Sequence, residues 1–419
     1  MKILHFILKI LAKLVLKKYK PKIIGITGSV GKTSTREAVF SVLHNKFKVN
    51  SSKKNYNNEI GLPLVIFDKE SGGRNIFKWL IMFLFVIKIL IFRKKDYPQV
   101  LILEMGSDKP GDIKYLTSIA KPDRALITAI GYSHLKSFGK FKNIIKEKGS
   151  ILNKLNKNDY AILNQDDKEV IKFKEKIKSK VRTFGQSKES DSYISNIKIS
   201  FKDGIIGTSF KLNNTGSEIP IFLPNALGWQ HAQAAAAATA VGLSLKMNLV
   251  EISKGLRYYK PAPGRANLIK GIKNSYIIDD TYNASPQSSF LALEILKDFP
   301  ISGRKIAVLG DMLELGKLTE EGHRQVGQKV KELEIDYLFI IGKRAKDISR
   351  GAQEVGFPED NIFSFSFTNE AGLFLQNKLK EGDIILVKGS RGMKMEKIVY
   401  EIMAEPWEAD KLLVSKEIK

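Results

Sequence analysis

Residues 25–35 read GITGSVGKTST, and they hold the densest chemistry in the chain. Gly28 and Gly31 let the backbone curl so that N–H groups of Ser29, Val30 and their neighbours face phosphate oxygens. The helix that opens at Lys32-Thr33-Ser34 adds a favourable dipole. Lys32 supplies a cation for the outer phosphates of a nucleotide, and the Thr33 hydroxyl is placed to ligate Mg²⁺. Two residues separate the glycines where the usual phosphate loop has four. Glu104 ends the apolar run VLILE, and a carboxylate at the tip of a parallel strand is well placed for a divalent cation. His134, in ITAIGYSHLKSFG, lies just past another strand end. Lys148, in IIKEKGS, reads from composition alone as a solvated helix lysine.

The elements that must position these groups alternate. KIIGIT, VLILE and ALITAI read as buried strands, each followed by loop and helix signals, with a helix from about Thr33 to Leu43. That is the pattern of a largely parallel sheet covered by helices. Residues 187–223 are more polar, and Asp-Gly within KISFKDGIIGTSFKL predicts a hairpin. QHAQAAAAATAVGL predicts a helix whose small side chains allow close packing on a sheet. PAPGR, at 261–265, reads as a domain joint. Strand–helix alternation then resumes with NSYIIDD, RKIAVLGD, YLFIIG and DIILVKG.

The 419 residues suffice for two or three cored domains, and the absence of cysteine excludes disulfides and thiolate chemistry. The formal charge of +25 calls for an anionic partner. Residues 1–20 hold six lysines and no acid, and residues 74–95 hold six basic residues and no acid. Both runs are strongly apolar, which points to lipid; no nucleic-acid motif accompanies them, and none of that class of partner is expected. MKILHFILKILAKLVLKKYK predicts a basic amphipathic helix, with Lys9, Lys13 and Lys17 on one stripe. Leu4, Ile7, Leu8, Leu11, Leu14 and Val15 lie on the other side. It has no cleavage site of a signal peptide.

Taken together, GSVGKTS, LEMGSDKPGDI, ITAIGYSHLKSFG, NIIKEKGSIL, PAPGR, IIDDTYNASPQS, VLGDMLELG and ILVKGSRG resemble the Mur ligase family, from about Lys22 to about Tyr400. The chain is most similar to the MurF type, which adds D-alanyl-D-alanine to UDP-N-acetylmuramoyl-tripeptide in peptidoglycan synthesis. The resemblance implies an α/β chain in three parts. A basic amphipathic helix occupies 1–20. A phosphate-loop central domain occupies 21–260, mainly a parallel sheet with a small antiparallel region and an apolar basic insertion at 75–95. A Rossmann-like C-terminal domain follows at 261–419. It implies ATP and Mg²⁺ as cofactors and an ATP-driven amide ligation through an acyl phosphate. It further implies a UDP-linked or lipid-linked muramoyl peptide, an amine resembling D-Ala-D-Ala, and a monomeric, cytoplasmic enzyme.

By position, the resemblance gives Lys32 the β- and γ-phosphates, and gives Thr33 and Glu104 one Mg²⁺. His134 matches a residue supporting a second Mg²⁺, and Lys148 a carbamylated lysine that ligates magnesium. Arg265, Asp280, Tyr282 and Asn283 match nucleotide contacts. Lys388, Ser390 and Arg391 fall where the family recognises the incoming amine or the peptide end. The chain departs from the family at Ser285, where asparagine is usual, at Ser150, where glutamate is common, and at Ala232 and Ala235, where asparagines sit near adenine. The family's UDP-holding domain would precede a loop that begins here at residue 28, so weak affinity for free UDP is expected. The alternatives are a ligase with another amine or acceptor, and a non-catalytic membrane-bound homologue.

NIFKWLIMFLFVIKILIFRKK, residues 75–95, is the other unusual stretch. A helix over 76–92 would be about 26 Å long, marginally short of a bilayer core. The phosphate loop and Glu104 lie on opposite sides of it in sequence, so one crossing would separate them. The stretch must return to the side it left. It is an interfacial helix on an anionic, inner-face membrane surface, a shallow re-entrant hairpin, or a buried helix of the fold.

Overall fold

A computed structural model of the chain describes residues 2–52, 56–131 and 135–414. Two compact units are present. One comprises the chain up to Asn196 with Phe210–Ile221 and Ala232–Tyr259; the other comprises Ile197–Ser209, Phe222–His231 and the chain from Lys260 onward.

The chain forms a nine-stranded sheet from β1 (Lys22–Thr27), β2 (Val49–Ser51), β3 (Val100–Glu104), β4 (Arg124–Ile127), β5 (Tyr160–Asn164), β6 (Lys180–Gly185), β7 (Ser192–Lys202), β8 (Ile205–Asn214) and β9 (Ser217–Pro224), in the order β2-β3-β1-β4-β5-β6-β7-β8-β9. Pairing from β2 through β7 is parallel. All five residues of β3 are buried, as expected of a parallel strand covered on both faces. The predicted hairpin joins β7 to β8 through Asp203-Gly204, both at positive φ (51° and 80°), the conformation a two-residue hairpin turn demands.

A six-stranded sheet uses β10 (Asn267–Lys270), β11 (Tyr276–Asp280), β12 (Lys305–Gly310), β13 (Tyr337–Ile341), β14 (Ile362–Phe365) and β15 (Ile384–Lys388), in the order β10-β11-β15-β12-β13-β14. Only β10–β11 is antiparallel. This is the α/β architecture the sequence predicts.

Two helices of the first unit are unusual. In α1 (Lys2–Tyr19), Leu8, Ala12 and Val15 are fully buried in the core, while Phe6, Ile7, Ile10 and Leu14 remain exposed. The expectation of one continuous apolar side is therefore corrected: Leu8 and Val15 face the core, Ile7 and Leu14 face out. The physical reason is angular. A helix turns about 100° per residue, and one packing partner covers only part of a wide apolar side. After α2 (Lys32–Leu43) and α3 (Gly61–Phe67) comes α4 (Ile76–Ile91), which buries only Met82, Val86 and Ile89. Asn75 caps it by accepting from Lys78 N, and Gly72 lies flat against Trp79, whose Nε1 donates to Gly73 O (3.1 Å). A core helix is thus excluded for most of residues 76–91. No helix among the described residues is long and apolar enough to cross a membrane.

The two helices are stapled at their C-terminal ends. Lys18 Nζ donates to Leu90 O (2.9 Å), and Tyr19 OH donates to Ile89 O (2.8 Å) while accepting from Lys94 N (2.8 Å). These contacts satisfy carbonyls that a helix end leaves orphaned. Because Leu8 is core and Phe6 is not, Leu8→Ala should cost about 2–5 kcal/mol of stability. Phe6→Ala should stay within about 0.5 kcal/mol of the parent. Urea unfolding of the two variants checks the division.

Candidate active site

The site begins where β1 stops. Gly28 (φ 148°) and Gly31 (φ 82°) carry the turn, and a Cβ at Gly28 would lie 2.0 Å from Thr128 Oγ1. Only glycine fits there. Ser29 N donates to Ala129 O (2.8 Å), and Ser29 Oγ accepts from Gly131 N (2.9 Å), so the loop is fixed to the chain beyond β4. Lys32 Nζ donates to Gly28 O (2.7 Å), lying across its own loop where phosphate oxygens would come.

Parallel pairing of β1 with β3 places Glu104 opposite Ile26, and Thr33 is the second residue of the helix after the loop. Thr33 Oγ1 donates to Glu104 Oε2 at 3.2 Å, and Asn57 Nδ2 donates to Oε1 at 3.3 Å. Arg36 NH1 stands 3.7 Å from the carboxylate. Glu104 and Arg36 are both buried. Its two hydrogen bonds are long, so a buried carboxylate is held in place without being tightly consumed. The Glu104 oxygens and Thr33 Oγ1 form the hard oxygen donor set that Mg²⁺ takes alongside water and phosphate. That set fits the ion.

Lys148 is only 2% exposed, on a helix spanning Phe141–Gly149, and its Nζ donates to Ser107 Oγ at 2.7 Å. Burial, and then the charge of Lys32, lower its pKa to about 8. This lysine is not the solvated one that composition suggests. Its neighbour Glu147 accepts from Gly111 N (2.8 Å) and Ile113 N (2.7 Å), capping the helix Asp112–Ile119 and fixing Lys148 beside it. His134 lies outside the described residues.

The second unit gathers the remaining candidates. The Arg265 guanidinium lies 3.9 Å over the Tyr282 ring. Arg265 O accepts from Nε2 of His231, a fully buried imidazole whose pKa burial pushes down to about 4, keeping it neutral. Lys388, also buried, donates from Nζ to Asp280 Oδ2 (2.5 Å) and to Asn283 O (2.9 Å). Asp280 and Lys388, given separate roles by the resemblance, are thus one ion pair. Ser390 Oγ accepts from Leu313 N (2.9 Å), tying KGSRG to GDML, and Arg391 donates to Glu396 (2.6 Å). Ala232 and Ala235 are fully buried in a helix.

Sequence reasoning missed Arg36, Asn57 and Ser107. Arg36 gave no signal, since a basic residue in a helix usually faces solvent. Asn57-Asn58 just before GLPLVIF carried one: Asn58 Oδ1 accepts from Gly61 N (2.9 Å) to start α3, and Asn57 turns to Glu104.

A glycine phosphate loop opening a helix, a strand-tip carboxylate beside it and a second α/β unit define a nucleotide-dependent enzyme of the phosphate-loop class. Residues 26–77 and 86–242 match the Mur ligase middle domain, and residues 264–391 match the Mur ligase glutamate ligase domain. The chain belongs to the Mur ligase family, and it is an ATP-dependent ligase. It is 32% identical, over 94% of its length and 79% of the relative's, to the UDP-N-acetylmuramoyl-tripeptide--D-alanyl-D-alanine ligase of Bacillus subtilis. Among solved structures, MurF from Acinetobacter baumannii superposes with TM-score 0.77 at 28% identity, over 95% of this chain and 80% of that one. MurF from Thermotoga maritima in complex with ADP superposes with TM-score 0.76 at 26% identity, over 95% and 83%.

Gly28→Ala forces an unfavourable φ and a clash with Thr128, a strain of order 1–3 kcal/mol. ADP affinity, measured by calorimetry, should fall about tenfold or more.

Proposed function

We propose that the chain joins D-alanyl-D-alanine, or an amine closely like it, to the terminal carboxylate of a UDP-linked or lipid-linked muramoyl tripeptide, with ATP converted to ADP and phosphate. The similarity to ligases that add D-alanyl-D-alanine supports the two substrates, and the Thr33–Glu104 contact beside Lys32 and a buried Lys148 supports the phosphoryl transfer. A carboxylate is a poor electrophile. Transfer of the γ-phosphoryl group to one of its oxygens gives an acyl phosphate and ADP. The amine nitrogen then attacks the carbonyl carbon, loses a proton and expels inorganic phosphate.

The chain's contribution is placement and charge. The loop N–H groups and Lys32 hold the outer phosphates, so negative charge shifting between β- and γ-oxygens meets a fixed cation. Thr33 and Glu104 would hold Mg²⁺, which supplies charge neutralisation across the phosphates when bound. Arg36 and Asn57 keep the Glu104 carboxylate oriented. A Lys148 ammonium close to Mg²⁺ would be repelled; as a carbamate it would be a carboxylate-like ligand, and Ser107 Oγ would orient it. In the second unit, the Arg265–Tyr282 stack suits a nucleotide contact. The Asp280–Lys388 pair holds the DDTYN loop to the KGSRG loop. The enzyme works as a monomer, peripherally on the inner face of the plasma membrane.

Mass spectrometry of mixtures containing ATP, Mg²⁺, UDP-MurNAc-tripeptide and D-Ala-D-Ala should show the pentapeptide product; ATP use with other amines only would redirect the assignment. Lys32→Ala should reduce turnover roughly 10²-fold or more; an unchanged rate would remove Lys32 from the mechanism.

Carbamylation needs the neutral amine. With a pKa lowered to about 8, Lys148 is mostly protonated below that pH. The ¹³C carbamate signal from labelled bicarbonate should therefore rise with pH, by roughly tenfold per unit up to about pH 8 and little beyond. Lys148→Ala should abolish the signal and nearly all turnover. Full activity of that variant without CO₂ would rule the carbamate out.

A further inference from the structure

Neither the fold's core nor the ligation chemistry uses the outer sides of α1 and α4, and we propose that these two sides form one membrane-docking plate that seats in the surface of an anionic bilayer without crossing it. The inference rests on the peripheral placement proposed above and assigns it to particular residues.

Three observations carry it. The first is the pattern of exposure. Phe6, Ile10 and Leu14 on α1, and Phe77, Leu80 and Leu84 on α4, are exposed although each is a large apolar side chain. Spacings of four and four on α1, and of three and four on α4, put each set on one helical stripe. The two helices pack against each other and share one core cluster, so the stripes belong to one body. Isolated exposed apolar residues are ordinary; two adjoining helices each carrying a stripe of them mark an interaction surface.

The second is charge. Lys13 and Lys17 on α1 and Lys78, Lys88, Arg93 and Lys95 on or beside α4 are exposed, and neither 1–20 nor 74–95 contains an acid. Long basic side chains around an apolar plate reach phosphate headgroups while the apolar residues enter the leaflet. A second copy of the chain is the poorer occupant, because docking plate to plate would press two cationic collars together.

The third is topology. Thr33 and Glu104 meet at 3.2 Å, and α4 lies between them in the chain. The segment therefore leaves and returns on one side. The staple from Lys18 and Tyr19 to the last carbonyls of α4 holds the C-terminal ends of the two helices together. Two anchors fixed in one body bind far more strongly than either alone.

The test is flotation of the full chain with vesicles of phosphatidylglycerol and phosphatidylcholine, and with phosphatidylcholine alone. The parent chain should float with the anionic vesicles, and binding should weaken as salt rises. Phe77→Glu combined with Leu84→Glu should reduce bound protein at least tenfold, and Phe6→Glu combined with Leu14→Glu should do so as well. All four positions are exposed and outside the site, so unfolding midpoints and ATP turnover in solution should match the parent. If the parent stays in the soluble fraction with anionic vesicles at low salt, both the plate and the peripheral placement are wrong. If it floats but both double variants float equally well, the placement stands and the plate is wrong. Loss of binding with an altered unfolding midpoint is resolved by Lys78→Glu with Lys88→Glu, which should also detach the chain; retained binding there overturns the plate.

Discussion

The contact between the Thr33 hydroxyl and the Glu104 carboxylate is the constraint around which the first unit is built. It requires the tips of β1 and β3 to coincide, and their parallel register delivers that, with Ile26 opposite Glu104. Thr27 Oγ1 donating to Met105 O (2.8 Å) and Met105 N donating to Ile26 O (2.8 Å) lock the strands at that edge. It requires a sharp reversal after β1, and only glycine at residue 28 clears Thr128. It also dictates that everything between residues 33 and 104, including the exposed helix α4, begins and ends at the carboxyl edge of the sheet. A ligand crevice at the carboxyl ends of parallel strands follows from the same arrangement.

Electrostatics follow from that geometry. One buried carboxylate lies beside Arg36, and Lys32 lowers the pKa of Lys148, so it acts at that site as well. Arg36 is also paired with Glu37, and Glu147, Asp108 and Asp112 lie close enough to Lys148 to oppose that lowering in part. Lys32 and the loop N–H groups, held in fixed positions, interact with the phosphates of ATP more strongly than mobile groups in water would. Burial first, and then the charge of Lys32, make the neutral amine of Lys148 more accessible than that of a solvated lysine.

Much of this was legible in the sequence, for local reasons. Helix α2 begins at Lys32, one residue from its expected start, because the glycine loop must precede it. VLILE, YIIDD and the Asp-Gly hairpin were readable from periodicity and turn chemistry. What was not legible depends on distant partners. Gly28 is intolerant because of Thr128, and Arg36 is buried because Glu104 arrives from the next strand but one in sequence. The apolar side of α1 could be seen as a pattern, but its division into a core half and an exposed half depends on where α3, α4 and their neighbours pack. Asp280 and Lys388 looked independent because 108 residues separate them.

In the proposed reaction ATP activates a carboxylate by phosphorylating it. The most direct measurement uses an acceptor whose terminal carboxylate carries ¹⁸O, with mass analysis of the phosphate released during ligation. One ¹⁸O atom is expected in each phosphate, because the oxygen that received the γ-phosphoryl group leaves with it. Amide formation with phosphate free of ¹⁸O would contradict that activation.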